Sequence, residues 1–472
     1  MANKQSSLPG QILEFELFQA KDGGESIDIS SAVVEIRYYE DVLSNSVSLS
    51  AIVAETGGSD KKSFGNKGVL DGLPVRGGEP SHIVIEDKDK KKLRFKNDNM
   101  LYINRVRNVI PGTSKDVYIL DFTSRETLSN EQVRVVKRYN GKISDSVDKI
   151  LKEATVGSVG LKTQKKVEVD PSVSEFNFIG NDRKPFYVCT WLASKATPEP
   201  PRGGKLGGAA GYLFYETYDG YKFKAIDVLF NRDKNKPKGN YIFTNTDDIH
   251  RGYKGKILEY NIERDIDLQN NLVLGTYANR TLFFDFMKYE YQIRPFSVDP
   301  PVDTPPGKEG EQTAPESSKG KIETLGADEI DSVAEEFRKP MSRLMTRVLD
   351  IGTMPSGETA EKQLENWKDN KEKPTYDAAN SMVQSVMRYN QMFSIKINIT
   401  IAGDFTLRAG DLIYCEFPEV STNPNTKPNK KSGGLYMISS LCHRLTPKDT
   451  YTSLTLVRDT FGKTKFIADK DS

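Results

Sequence analysis

Only three of the 472 residues are cysteine, and Cys189, Cys415 and Cys442 are far apart and odd in number. Such a set excludes a disulfide framework and points to reduced, buried thiols. Histidine is as scarce, and His82, His250 and His443 have neither helical spacing nor the cysteine spacing of a zinc cage. Cys442 and His443 are adjacent, so a strand would send them to opposite faces. Net charge is nearly absent too: 67 basic against 66 acidic residues leaves +1, with no global field toward nucleic acid or anionic membrane. Nowhere do 18 apolar residues run together, so no membrane anchor is expected. Met1 to Gln11 is polar with a single Lys, which predicts no secretory leader and a chain first held in the cytosol. The sequence holds no GxxxxGK[ST], no GxSxG and no EF-hand spacing. Gly203 to Gly208 surround Lys205 without running from a strand into a helix, so they read as a flexible loop, not a phosphate cradle. Among 66 acidic residues any carboxylate spacing can be found, so an acid/base pair is neither indicated nor excluded. No catalytic, cofactor-binding or metal-binding residue is assigned.

What is present is β-forming sequence. Aromatics make up 10%, including 21 Tyr and 22 Phe, a composition suited to sheets and interfaces. Ala32 to Tyr39 and Val47 to Val53 carry strand patterns, the second ending in Gly57-Gly58. The charge run Asp87 to Lys91 between two strands reads as a solvated hairpin tip. From Ser144, taken as a capping residue, Val147, Ile150 and Leu151 have helical spacing; a second helix is expected after Asp182, with Pro185 in its first turn. Tyr212 to Glu216, a turn at Asp219-Gly220 and Tyr221 to Ile226 form a hairpin. Strand patterns resume from Ile257 to Leu274 through Tyr260, Ile262, Ile266 and Leu268, and continue at Thr281 to Phe284. Asp299 to Lys319 is rich in Pro and should be a mobile loop; Ala327 to Leu349 and Tyr376 to Met392 have helical spacing. Ile395, Ile397 and Ile399 open the last group of strands.

The end of this pattern echoes its beginning. Val75-Arg76-Gly77-Gly78-Glu79 resembles Leu407-Arg408-Ala409-Gly410-Asp411, and Leu101-Tyr102-Ile103 resembles Leu435-Tyr436-Met437. Lys115-Asp116-Val117-Tyr118 followed by Arg125 resembles Lys448-Asp449-Thr450-Tyr451 followed by Arg458. The blocks keep their order at offsets of about 332, 334 and 333 residues, as expected of one β-module carried twice. In the last block the Lys-Asp-x-Tyr match favours 333, whereas the apolar alternation of Val117, Leu120 and Phe122 favours 334. The organisation predicted is a β-barrel domain at 1–136, a small α/β domain at 137–249, a second barrel split between 250–290 and 390–472, and an inserted, partly helical domain at 291–389. The fold class is thus mainly β with α+β parts, built on two related antiparallel barrels.

Several segments carry a family resemblance. Glu35 to Glu40 leading to Val53 to Gly57, Arg134 to Leu151 with Gly141-Lys142-Ile143-Ser144, and Asn181 to Phe186 resemble the central baseplate hub protein of T-even-type contractile-tailed phages. Gly211 to Thr217, Ala409 to Ile413 and Leu454 to Phe461 continue the resemblance; the region from about 291 to 389 is longer than the family pattern. The resemblance implies a homotrimer whose paired barrels make a ring of six around a channel. Its partners would be the hexameric tail tube on one side and the trimeric central spike, often lysozyme-bearing, on the other. DNA would pass without specific binding, no cofactor would be needed, and the setting would be the virion tail baseplate, assembled in the host cytoplasm. The repeated positions Arg76, Gly78, Tyr102, Tyr118, Arg125, Arg408, Gly410, Tyr436, Tyr451 and Arg458 are the candidates for shaping ring interfaces. Two other readings compete: a baseplate peptidoglycan hydrolase, and a type VI secretion spike component of related fold.

Overall fold

The computed structural model describes residues 9–460 except 20–24, 57–67, 111, 113–114, 154–160, 174, 200–208, 244–254, 265–266, 287–288, 298–324, 326–332, 351, 354–377, 420–428 and 430. The glycine loop and the Pro-rich stretch therefore lie outside the described residues, as does His250.

Alternation builds the first module from eight strands: β1 (Gln11–Phe18), β2 (Ser26–Asp28), β3 (Val33–Asp41), β4 (Ser48–Glu55), β5 (Pro80–Glu86), β6 (Lys92–Phe95), β7 (Leu101–Ile110) and β8 (Asp116–Ser124). Phe15, Ile36, Leu49, Leu101, Leu120 and Phe122 point inward and form one core. The sheet runs β1-β5-β7-β8-β4-β3, and among the described residues β3 does not pair back onto β1. That edge of β3 is used elsewhere.

The α/β part contributes β9 (Arg138–Tyr139), β10 (Val167–Val169), β11 (Phe178–Ile179), β12 (Tyr212–Thr217) and β13 (Gly220–Ala225), with helices Ile143–Lys152 and Pro185–Ala193. The β12–β13 hairpin forms as its turn sequence predicts, and β10 joins it in parallel. The first helix starts at Ile143, one residue before Ser144; Ser144 is therefore not its cap, and the Ser144 amide donates to Ser172 Oγ at 3.0 Å.

The second barrel consists of β14 (Asn240–Phe243), β15 (Lys256–Arg264), β19 (Ile395–Ala402), β20 (Leu412–Glu416), β21 (Gly434–Leu445) and β22 (Thr450–Arg458). It closes completely in the order β14-β15-β19-β22-β21-β20, with β14 parallel to both neighbours. Its first strand begins ten residues before 250. Ile257, Ile397, Ile399, Ile438, Leu454 and Leu456 fill it.

Between β15 and β19 lie β16 (Ala278–Asp285), β17 (Glu290–Ser297) and β18 (Arg343–Val348), a separate sheet on which helix Ala378–Met392 packs through Ala379, Val383 and Met387. Two expectations need correction here. The strand read from Ile257 to Leu274 stops at Arg264, and Leu268–Leu274 is a helix. Asp267 caps it by accepting from the Asn270 amide at 3.0 Å, and Gly275 ends it at φ 67°. The helical spacing of Ala327 to Leu349 yields, among its described residues, one turn at Glu335–Arg338, after which β18 pairs in parallel with β16. Lys339 is still helical, and Pro340 after it has no amide hydrogen with which to continue the helix.

Candidate functional site

The repeated blocks occupy equivalent places in the two modules. In the first, Gly78 N donates to Ile103 O at 2.7 Å and Ile103 N to Glu79 O at 2.9 Å; in the second, Gly410 N donates to Ile438 O at 2.8 Å and Ile438 N to Asp411 O at 2.9 Å. Glu79 accepts from Arg76 N at 2.6 Å, and Asp411 from Arg408 N at 2.9 Å. Both glycines need a left-handed backbone, with φ 91° and 89°. Each copy is thus an acid-locked turn leading into a barrel strand.

Even the irregularities are duplicated. β7 bulges against β8 between Ile103 and Arg105, and β21 bulges against β22 between Ile438 and Ser440. β3 bulges against β4 between Val33 and Glu35, and β15 against β19 between Ile257 and Glu259. Bulges fix local register and twist, so coincidence at two of them marks one module carried twice.

The hydrogen-bond registers correct the sequence alignment. Ile103 opposes Phe122, and Ile438 opposes Leu456, so β7 matches β21 with Tyr102 at the place of Met437. Tyr436 then matches Leu101, both facing the barrel interior, while Tyr102 faces outward and is half-buried. In the last block alternation wins: Tyr118 is buried at the place of buried Thr452, and Tyr451 points outward. Arg125 lies beyond the end of β8 and donates to Leu161 O at 2.6 Å; Arg458 is inside, over the Tyr436 ring at 4.5 Å, and donates to Gly433 O at 3.0 Å. Of the ten positions, Arg76 with Arg408 and Gly78 with Gly410 are true counterparts. The Tyr and remaining Arg pairs are not, because a one-residue slip on a strand exchanges its two faces.

The modules meet in a continuous sheet. β3 pairs antiparallel with β21, setting Tyr38 opposite His443 and Arg37 opposite Arg444. Arg444 donates to Glu35 at 2.8 Å across this seam. Beneath it Glu40, 1% exposed, accepts from Tyr38 Oη at 2.9 Å, Tyr218 N at 2.7 Å and Ala409 N at 2.8 Å. One carboxylate therefore ties β3 of the first module, the β12–β13 turn and the repeated turn of the second. Burial pushes the Glu40 carboxyl up, while Arg408 and these hydrogen bonds pull the other way. Burial also disfavours the Arg408 cation, but Glu40 and then Asp219 outweigh it and hold it charged. Arg408 lies over the Tyr218 ring at 4.7 Å. His443 is fully buried, with Nδ1 2.9 Å from Thr452 Oγ1. Arg76, the counterpart of Arg408, is exposed.

Two contacts had no sequence signal of their own. Asp87, read as part of a solvated tip, is 3% exposed and accepts from Phe405 N at 3.0 Å, fastening the β5–β6 turn to the second barrel. Arg388, on helix Ala378–Met392, donates to Asp227 at 2.7 Å and to Asp459 at 2.8 Å, joining the α/β part to the end of β22. Three possible metal ligands, Glu14, Glu16 and His82, come within 4.8 Å of one another across β1 and β5. Lys96 Nζ lies 2.5 Å from Glu14 Oε1, so this cluster already holds a cation of its own.

Comparison with known proteins follows this geometry. No family model matches the chain, and no curated protein matches it. Solved structures do match, and they include phage tail and baseplate proteins and type VI secretion components. The 43 kDa tail protein of prophage MuSo2 from Shewanella oneidensis matches over 95% of this chain and 99% of its own, at 10% identity and a TM-score of 0.49. A tail protein from Neisseria meningitidis MC58 matches over 96% and 97%, at 10% identity and 0.48. The E. coli c3393 protein, a component of the type VI secretion system, matches over 92% and 77%, at 10% identity and 0.35. Likeness at this level assigns no role to any residue; the functional reading rests on the doubled module.

Proposed function

We propose that this chain is a structural, ring-forming hub of a contractile tail baseplate, a homotrimer that presents paired barrels around a channel. The observation that carries the reading is the seam: two copies of one module stand side by side in one chain, joined edge to edge through β3 and β21. A ring closes when one interface repeats under rotation, and two like modules per chain let three copies meet a six-fold partner. The six-fold tail tube then docks on one side and the three-fold central spike on the other. The near-neutral charge suits a channel through which DNA moves without being held. No catalysis belongs to this role.

Sedimentation of the purified chain, alone and mixed with its spike protein, together with particle images, tests it. A three-copy species with a central pore is expected. A monomer under both conditions would refute the reading, and lysis of peptidoglycan in a zymogram would favour the hydrolase instead.

A further inference from the structure

The small sheet that interrupts the second barrel is turned with its more apolar face outward. On the side facing helix Ala378–Met392, β16 presents Asn279, Thr281, Phe283 and Asp285, all buried, and Asn279 Nδ2 lies 2.7 Å from Met387 Sδ. The opposite side of β16 carries Arg280, Leu282 and Phe284. Pairing places Tyr291 and Val348 on either side of Phe284, Ile293 beside Leu282, and Leu344 beside Arg280. Phe284, Tyr291 and Leu344 are 41%, 67% and 71% exposed, and Ile293 and Val348 are exposed as well. A sheet normally buries its apolar side against another element. Here the more polar side is covered and the apolar side is bare, and a contiguous apolar surface of this kind marks an interaction site.

We propose that this face docks an amphipathic helix of a partner protein, one that carries a carboxylate at one end of its apolar stripe. Width selects the helix: three strands put about 10 Å between the outer two, which is the diameter of one helix. Strand addition at an edge would leave the face bare. From Arg280 to Phe284 the face runs about 13 Å, so a partner's side chains at i, i+3, i+4 and i+7 cover it.

Charge selects the carboxylate. Arg280 is exposed and has no ion pair among the described residues. Arg294 opposes Thr281 and Arg343 opposes Asn279, so this end of the sheet is basic, while the acids of the three strands, Asp285 and Glu290, face each other at the other end. A second copy of the face would bring arginine to arginine and supply no acid. The occupant is therefore a different chain. The site lies on the inserted sheet, outside both barrels, and does not depend on the number of copies in the ring.

The test uses the purified full chain and a short fluorescent helical peptide with leucines at those spacings and a glutamate at one end, alongside a copy with lysine in place of the glutamate. Spacing, not a unique sequence, is what such a face reads, so a designed peptide suffices. Fluorescence anisotropy should show the glutamate peptide binding. Leu344→Asp should weaken that binding about tenfold or more, and Arg280→Glu should weaken it about tenfold and shift the preference to the lysine peptide. Both positions are exposed, so both variants should keep the parent's unfolding midpoint. No binding, or equal binding by the parent and Leu344→Asp, would overturn the proposal. Three other results would overturn it by assigning the face elsewhere. Self-association lost in Leu344→Asp would give it to a second copy. Binding to phosphatidylcholine–phosphatidylglycerol vesicles that Leu344→Asp abolishes would give it to a membrane. Peptide binding seen only after residues 354–377 are replaced by a Gly-Ser linker would give it to the chain's own segment.

Discussion

Removing the Arg388 guanidinium should open the second barrel at its seam with the α/β part. Its side chain is 1% exposed and lies between Asp227 at 7% and Asp459 at 0%, with its plane also over Phe230 at 4.9 Å. Burial disfavours the cation, and the two aspartates more than compensate, keeping it charged. In Arg388→Met the methylene volume remains but two carboxylates lose their counter-ion in a dry site, a change that costs about 3–5 kcal/mol. With a urea dependence of about 2 kcal/mol per molar for the affected unit, the midpoint of that transition should fall by about 2 M. The assay is urea unfolding followed by hydrogen exchange of β22 and helix Ala378–Met392. Arg388→Met combined with Asp227→Asn and Asp459→Asn should recover most of the loss, since no unpaired charge then stays buried. A midpoint for Arg388→Met within about 0.5 M of the parent would refute the argument.

The two turn glycines provide an internal comparison. Gly78→Ala and Gly410→Ala face the same left-handed backbone, about 1–2 kcal/mol each, but a Cβ at Gly78 meets nothing within 4 Å while one at Gly410 runs into Tyr215 Oη. Gly410→Ala should therefore be worse by about 1–3 kcal/mol in denaturant midpoints, and equal costs would mean the second turn is not packed as described. His443 supplies a pH signature: burial, and after it the Arg408 charge, pushes its imidazole down to about 3. The unfolded chain takes up that proton near pH 6.5 and the folded chain does not, so stability should fall by about 1.4 kcal/mol per pH unit below 6.5, or about 2 kcal/mol by pH 5. His443→Gln should flatten that limb relative to the parent, and parallel pH profiles would sink the assignment.

The module repeat was legible because its strongest marks are backbone requirements: a glycine at positive φ followed by an acid that locks the turn, at Gly78-Glu79 and Gly410-Asp411. Its register was not, because each strand has its own offset. Loop lengths between β5 and β7 differ from those between β20 and β21, so one shift cannot align Pro80 with Leu412 and Ile103 with Ile438 together. Tyr102 and Tyr436 matched by letter while facing opposite ways. Segment type failed where periods overlap: in Leu268–Leu274 apolar residues fit strand and helix alike, and the Asp267 cap and Gly275 decide. Asp87 was misjudged for a different reason, since a charge run looks solvated until the fold brings Phe405 N to one of its members. The junction residues Glu40 and Arg388 have ordinary local sequence, and their importance lies in what lies across from them.

The long interruption of the second barrel has a consequence for the order of folding. β3 and β4 are neighbours in their sheet and are joined by residues 42–47, while their counterparts β15 and β19 are joined by 265–394, roughly twenty times as many. Closing the larger loop costs about 2.7 kcal/mol more if it is unstructured when the ends meet. The first module can therefore assemble from local contacts, and once formed it offers the edge of β3 to β21. Growth of the second barrel on that edge would make the first module a template, with the interruption closed only after its landing site exists.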